Sequence, residues 1–324
     1  MISPGLGFRT YLGFGEEAIW GTRVPASRYI ELVAGGDGLS FDQPELFSGS
    51  IYGIGHRIDK DVAKGGRVVG GDIGFEMPYE GTEFLLKHAL GAVTTTQIGT
   101  TPARTHVFTV ADILPRGLSF EVNRDITAFF VEGGKINTMA FEIGLDGFLK
   151  TTANIAGEDF TRGVKTVETL PTLPPFNFAQ GVLRFGVRGT EAVVNVSAAA
   201  INLNNNLAID RRHIGSNLIA EPVRAGKVEV TYSFDAEFES TALFDDFVAA
   251  TRRSLLLTFT GPPVIGAPAS NYTLTLACNV GRLTKAVPLA TDEGLILYTV
   301  AGRAYRDAVD RELRITMVNG VVSV

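Results

Sequence analysis

The chain has 324 residues, 45% hydrophobic and 20% charged, which is enough to bury a large core and excludes a disordered protein. Its 29 basic and 35 acidic residues give a net charge of −6, which argues against a basic nucleic-acid-binding surface. The single cysteine excludes an intrachain disulfide and a cysteine-based zinc cluster. With 37 glycines and 21 phenylalanines, the composition favours strands and tight turns, so we expect a mainly β fold with short helices.

In chain order, the first clear element is a strand over residues 72–80. Apolar and polar residues alternate along it, which indicates one buried and one solvated face. The solvated face carries Asp72, Glu76 and Glu80. A short helix follows, for which Thr82 is the expected N-cap and Gly91 the expected stop.

Two further elements are predicted before the middle of the chain. Residues 94–104 form a polar stretch that we expect to be a mobile loop, and it includes Thr94, Thr95, Thr96, Gln97 and Arg104. Residues 126–131 and 136–143 flank Gly133 and Gly134, and a Gly-Gly pair between two apolar runs predicts a hairpin.

A proline-rich segment divides the chain. Pro171, Pro174 and Pro175 fall within a few residues of each other, a composition typical of a linker. We therefore predict a first unit over residues 1–170, a linker over 171–180 and a second unit over 181–324.

The second half begins with the clearest strand of the sequence, over residues 227–239. Period-two alternation runs through all of it, and its polar side includes Thr231, Asp235, Glu237 and Glu239. A short helix is predicted after Ser240 or Thr241. A second hairpin, over residues 273–280 and 283–289, is predicted about Gly281.

The two halves resemble each other, which indicates an internal duplication. Residues 54–68 match residues 214–228 with a shift of 160, and the next strand matches with a shift of 159. Gly134-Lys135-Ile136 matches Gly281-Arg282-Leu283 with a shift of 147. Each copy reads as strand, helix and strands, with the helix packed on one sheet.

The sequence offers no catalytic or cofactor site. The four histidines, at positions 56, 88, 106 and 213, have no metal-ligand spacing, and Cys278 lies on an alternating strand as a small apolar residue. Dinucleotide, phosphate-loop and serine-hydrolase motifs are missing. We therefore expect a protein that is not an enzyme and has no cofactor or metal. No signal peptide or membrane span is evident, so we expect no membrane anchor.

The first half resembles the tail tube (major tail) proteins of long-tailed bacteriophages. The resemblance rests on the opening segment from Gly13 to Thr22 and on Gly70-Gly71-Asp72-Ile73-Gly74-Phe75-Glu76 leading into the helix that ends at Gly91. It extends to His106-Val107-Phe108-Thr109 and to Gly133-Gly134-Lys135-Ile136-Asn137. The second half is related to it through the internal repeat.

This resemblance implies a structural protein of the virion. Tail tube subunits form rings with six-fold character, the rings stack into a hollow tube, and each unit gives strands to an inner β-barrel. The expected partners are other copies of the chain, the tape-measure, tail terminator and baseplate or distal tail proteins, and double-stranded DNA that passes without specific binding. Assembly is expected in the host cytoplasm.

Applied to this chain, the resemblance assigns roles to the polar residues above. Asp72, Glu76, Glu80, Thr231, Asp235, Glu237 and Glu239 are expected to face the lumen. The loop over residues 94–104 and the N-terminal arm before Tyr29 are expected to contact the next ring.

The duplication favours a ring of three chains over one of six, because three chains already supply six units. Two alternatives remain open. One is a hexamer whose second half decorates the exterior; the other is a different phage β-protein, such as a tail decoration or an adhesin-like carbohydrate-binding module.

Overall fold

The computed structural model describes residues 4–49, 51, 59–290 and 293–324. It is mainly β, as predicted, and its strands pair antiparallel. The strands of the first half are β1 (Tyr11–Glu16), β2 (Arg28–Glu31), β3 (Ser40–Asp42), β4 (Glu45–Phe47), β5 (Val62–Lys64), β6 (Val68–Glu76), β7 (Gly91–Gln97), β8 (Arg104–Val110), β9 (Leu118–Asn123), β10 (Ala128–Gly144), β11 (Lys150–Gly157) and β12 (Asp159–Gly163).

The second half has fewer strands. They are β13 (Gly181–Gly186), β14 (Ala192–Val193), β15 (Val196–Asn204), β16 (Glu229–Glu237), β17 (Arg253–Val264), β18 (Ala267–Lys285), β19 (Leu297–Ala304) and β20 (Arg314–Asn319). The helices are α1 (Glu83–Leu90) and α2 (Ala242–Val248), and short 3-10 turns occur at Gly7–Arg9, Asp59–Asp61 and Phe178–Gln180.

The same order of strand pairing occurs in both halves. In the first half the neighbours run β2-β1-β9-β10 and β10-β11-β6-β3, with β12 also against β10. In the second half they run β14-β13-β17-β18 and β18-β19-β16-β15, with β20 also against β18. This agreement supports the duplication, while the unit boundaries stay a prediction.

The strand ladders fix the correspondence between the halves more closely than the sequence does. Lys135 pairs with Ala156 and Arg282 pairs with Arg303, so β10 and β18 keep the predicted shift of 147, and β11 and β19 are related by the same shift. Glu76 and Glu237 end their strands at equivalent places, a shift of 161 and not 159. Because strand side chains repeat every two residues, this difference leaves the buried and exposed faces as predicted. Residues 54–58 of the sequence repeat lie outside the described residues.

Two pairings join the halves. The C-terminal part of β10 pairs with β15, and β20 pairs with β8. The first of these produces a continuous sheet in the order β3-β6-β11-β10-β15-β16-β19-β18. Within a single chain, the described strands close no barrel, because no series of strand pairings returns to its first strand. This sheet ends at β3 on one side and at the C-terminal part of β18 on the other, while the N-terminal part of β18 pairs with β17 and β20.

The two predicted hairpins about glycines are wrong. Residues 126–143 do not turn at Gly133, and β10 runs through this position as one strand with a β-bulge between Val131 and Gly134. In the same way, β18 passes through Gly281. Gly133 has φ +65°, and a Cβ on Gly134 would lie 2.6 Å from the Phe120 ring. The glycines permit a bend that moves the strand from one sheet to the other, because only glycine fits there.

The helices lie where the sequence predicts them, but their ends and burial differ from expectation. Gly91 stops α1 in the left-handed conformation, as expected, with φ +110°. Thr82 occupies the N-cap position, but its hydroxyl contacts Met77 Sδ and does not cap the helix. In α2 the apolar side chains are only partly buried, and Val248 is 67% exposed.

The proline-rich segment and the N-terminal arm are both anchored to the core. In the predicted linker, Phe176 is fully buried and exchanges backbone hydrogen bonds with Met77 and Leu149. The N-terminal arm is not free before Tyr29, because β1 pairs with β9 over six residues. The apolar residues of both halves form one core cluster, so the two halves pack together.

Candidate assembly surface

One face of the continuous sheet is polar across its six inner strands, from β6 to β19. Alternate residues on each strand point away from the core, and the ladders place them in rows across the strands. We call this set the polar sheet face: Asp72, Gly74, Glu76, Thr138, Ala140, Glu142, Lys150, Thr152, Asn154, Ala198, Ala200, Asn202, Asn204, Glu229, Thr231, Ser233, Asp235, Glu237, Leu297, Thr299, Ala301 and Arg303.

The opposite face of the same strands is mainly apolar and mostly buried. Ile73, Phe141, Ile201, Phe234 and Val300 each belong to a different strand, and none is more than 1% exposed. The alternation therefore has a clear physical cause, since every strand has one face against the core and one away from it.

Small and short polar side chains dominate the polar sheet face, and its charge is mainly negative. It carries six carboxylates and two cations, a net charge of −4 among the residues that define it. Carboxylates lie next to both cations: Lys150 lies directly opposite Glu76 on one side and Glu142 on the other, and Arg303 forms an ion pair with Glu229. Asp235 accepts a hydrogen bond of 2.6 Å from the Thr299 hydroxyl.

Five of the seven residues predicted to face the lumen lie together on this face: Asp72, Glu76, Thr231, Asp235 and Glu237. The other two lie beyond the strand ends. Glu80 accepts a hydrogen bond of 2.8 Å from the Gly320 backbone N–H, and Glu239 follows the end of β16. The sequence did not predict that Glu142, Lys150 and Arg303 share the face, because this depends on pairings between distant strands.

The predicted polar loop over residues 94–104 is a hairpin. Thr94, Thr95, Thr96 and Gln97 belong to β7, Arg104 begins β8, and seven residue pairs join the two strands. Only residues 98–103 form the turn. The residues from Thr94 to Gln97 are exposed on an edge strand and Arg104 is partly buried, so the prediction of an irregular loop was wrong, while a role in stacking stays a prediction.

A buried polar network holds this hairpin to both halves. The His106 ring is fully buried and contacts the Thr95 hydroxyl at 2.9 Å and Asn319 Oδ1 at 3.0 Å. The Asn319 amide donates to Glu83 Oε1 at 2.6 Å. Burial lowers the pKa of His106 and raises that of Glu83, because both charged forms lose solvation.

A second buried contact joins the halves near the β10–β15 pairing. Asn205 is fully buried, and its amide nitrogen donates to the carbonyls of Ala89 at 2.9 Å and Ile136 at 3.0 Å. Its oxygen accepts a hydrogen bond of 2.7 Å from Arg224. The hydrogen bonds of the Asn205 amide therefore fix the second half, to which Asn205 belongs, against the first half.

The remaining titratable groups form structural contacts. His88 is buried against Glu16 at 3.1 Å, and hydrogen bonding from His88 lowers the pKa of Glu16 to about 2. His213 is exposed, and His56 lies outside the described residues. Burial raises the pKa of the Cys278 thiol to about 12, which makes it a poor nucleophile.

Neither metal binding nor membrane crossing is indicated by the part of the chain that the structure describes. In residues 4–49, 51, 59–290 and 293–324, no group of three or more His, Cys, Asp or Glu side chains is placed to hold a metal ion. No helix in these ranges has the length and hydrophobicity needed to cross a membrane.

Comparison with known proteins gives a family for this architecture. The family model described as phage tail tube protein matches residues 7–304, which includes nearly all of both halves. The chain belongs to the phage tail tube protein family. A search of curated proteins finds no match.

Membership of the tail tube family identifies the chain as a structural protein of the phage virion. Such a protein assembles with other copies of itself and with other components of the tail. The match includes both strands of the β10–β15 pairing, so a single family model covers the two halves together.

Proposed function

We propose that three copies of the chain form a ring, that rings stack into the tail tube, and that the polar sheet face lines its channel. The observation that carries this proposal is the continuity of the face across both halves. It passes from β10 to β15 over seven residue pairs without a change of side. Both halves then line the channel as equivalent units.

The strand count favours three chains over six. Each chain contributes eight strands to the continuous sheet. With strands about 4.8 Å apart and tilted by about 40°, a closed wall of about 24 strands is about 48 Å across between backbones. Six chains would double this width to about 96 Å, which is far wider than DNA needs.

The charge of the face suits a channel for DNA. On the six inner strands, six carboxylates outnumber two cations, and Arg303 is already paired with Glu229. The edge strands add Asp42 on β3 and Arg282 and Lys285 on β18, so the carboxylates remain in excess and repel phosphates. DNA binding depends on the release of counterions by unpaired Lys and Arg, so this face favours passage over binding. We also propose contacts with the tape-measure, tail terminator and baseplate proteins, and assembly in the host cytoplasm.

In the alternative ring of six chains, the second half decorates the exterior of the tube. This arrangement requires the second half to separate from the continuous sheet. The β10–β15 pairing, the buried Asn205 and the shared core cluster all argue against this separation. A module on the exterior would also not need to continue the polar sheet face in the register of the first half.

Negative-stain electron microscopy of the purified chain, with native mass spectrometry of isolated rings, tests the proposal. We expect end-on views with a central hole and a mass of three chains per ring. Rings of six chains would refute the trimer, and a chain that stays monomeric at high concentration and with tail initiator proteins would refute tube assembly.

A further inference from the structure

The strand edges that join the two halves have equivalents at the two ends of the sheet, and among the described residues these equivalents have no strand partner on that side. Within the chain, the C-terminal part of β10 pairs with β15. By the correspondence between the halves, β3 is the equivalent of β15, and the segment that follows Arg282 is the equivalent of the end of β10. Among the described residues, β3 pairs with β6 alone, and residues 286–290 pair with no strand.

The equivalence of β3 and β15 is close at the level of single residues. Ser40 pairs with Gly70 as Asn202 pairs with Thr231, and Asp37 bridges Ile73 as Ala199 pairs with Phe234. On the other side, Lys285 pairs with Ala301 as Thr138 pairs with Asn154. We call the pairing of β10 with β15 the internal seam. Each chain therefore carries both edges needed to form an equivalent seam with another copy.

The internal register predicts which residues would meet. In the internal seam Thr138 lies opposite Asn204, and the equivalent residues at the two edges are Lys285 and Asp42. Likewise Ala140 lies opposite Asn202, and the equivalent residues are Val287 and Ser40. A lysine and an aspartate directly opposite each other on neighbouring strands attract. The charges of the two edges therefore complement each other in the register that the internal seam dictates.

The first edge also exposes an apolar side chain that a seam would cover. Phe41 is 49% exposed and pairs with Val69 as Leu203 pairs with Val230, and Leu203, next to the internal pairing of β10 with β15, is 1% exposed. In the same register Pro288, which has no N–H, would face Leu39. The Leu39 carbonyl already accepts a hydrogen bond from Arg124, so the proline leaves it satisfied.

We propose that β3 of one chain pairs antiparallel with residues 285–290 of a second copy, with Asp42 opposite Lys285. The partner is another copy of this chain, and the seam between chains repeats the seam inside each chain. This inference rests on the proposed ring and specifies how the ring closes.

A pair of engineered cysteines tests the register. In the Ser40→Cys/Val287→Cys variant the two thiols would be directly opposite across the seam, at a Cα separation of about 4.5–5.5 Å that permits a disulfide. The native Cys278 is fully buried and does not interfere. The matched control is Ala140→Cys/Asn202→Cys, which places the same pair across the internal seam.

After oxidation, we expect non-reducing gels to show covalent dimers and trimers for the first variant and only monomers with an internal disulfide for the control. A mixture of the two single-cysteine chains should give dimers and nothing larger. Rings that form without this cross-link, or a Ser40→Cys/Val287→Cys disulfide within one chain, would overturn the seam while leaving the tube function intact. Absence of rings from the unsubstituted chain would overturn the tube function and the seam together.

Charge reversal gives an independent test. Asp42→Lys and Lys285→Asp each place like charges opposite each other, and we expect each to weaken association by about fivefold per seam. The double variant restores an opposite pair and should recover ring formation measured by sedimentation. Single variants that assemble as well as the unsubstituted chain would contradict the proposed register.

Discussion

Asn205 offers a quantitative test of how firmly the two halves are joined. The Asn205→Ala variant removes both donors to the buried carbonyls of Ala89 and Ile136 and the acceptor of Arg224. Buried groups that lose a partner cost about 1–3 kcal/mol each, so we expect the free energy of unfolding to fall by about 3 kcal/mol. At about 2.1 cal/mol/K per residue, this lowers the Tm by about 4 °C.

Differential scanning calorimetry and urea unfolding measure this change. The matched control is Asn202→Ala, because Asn202 is exposed on the polar sheet face, and its loss should alter the free energy of unfolding by under about 0.5 kcal/mol. Equal, small effects of the two substitutions would refute the reasoning that the Asn205 amide fixes one half to the other.

Three further predictions concern the channel, pH and stacking. Phage particles carrying Asp235→Lys and Glu237→Lys should assemble but eject DNA more slowly in a fluorescence ejection assay, because lysines in the channel would bind phosphates; unchanged kinetics would exclude these residues from the lumen. The pKa of His106 is lowered in the fold, so the unfolded chain takes up a proton first, and the free energy of unfolding should fall as the pH drops below about 6.5. The His106→Gln variant should show a weaker dependence over this range in urea titrations, and an identical slope would count against the assignment. Thr94→Lys with Thr96→Lys charges the exposed edge of β7, which should leave rings intact and prevent tubes in electron micrographs; tubes of normal length would remove β7 from the stacking contact.

Local patterns in the sequence predict the strands and their faces well. The alternation over residues 227–239 predicts β16 because a strand with one face on the core must repeat every two residues. Gly91 marks the end of α1 for an equally local reason, since it adopts a left-handed conformation that other residues disfavour. The polar sheet face was thus partly visible as two separate sets of carboxylates.

Features that depend on distant partners were not predictable. Glycine serves both a tight turn and a bulge, and only the neighbouring strands show that Gly133 and Gly134 lie in a bend of β10. The Thr-rich residues of β7 resemble a loop until β20 is seen to pair with β8. The β10–β15 pairing joins residues about sixty positions apart, and no periodicity within either strand reveals it.

The covalent link between the halves changes the thermodynamics of closing a ring. Six separate units would have to form six seams between molecules, and each association pays translational and rotational entropy of about 4–15 kcal/mol. In a ring of three fused chains, half of the seams already exist when each chain folds, because β10 and β15 are on the same polypeptide. Fusion also fixes equal numbers of the two unit types. In the part of the chain that the structure describes, only the first half carries a hairpin like β7–β8, so a ring with six similar units inside would present three hairpins to its surroundings.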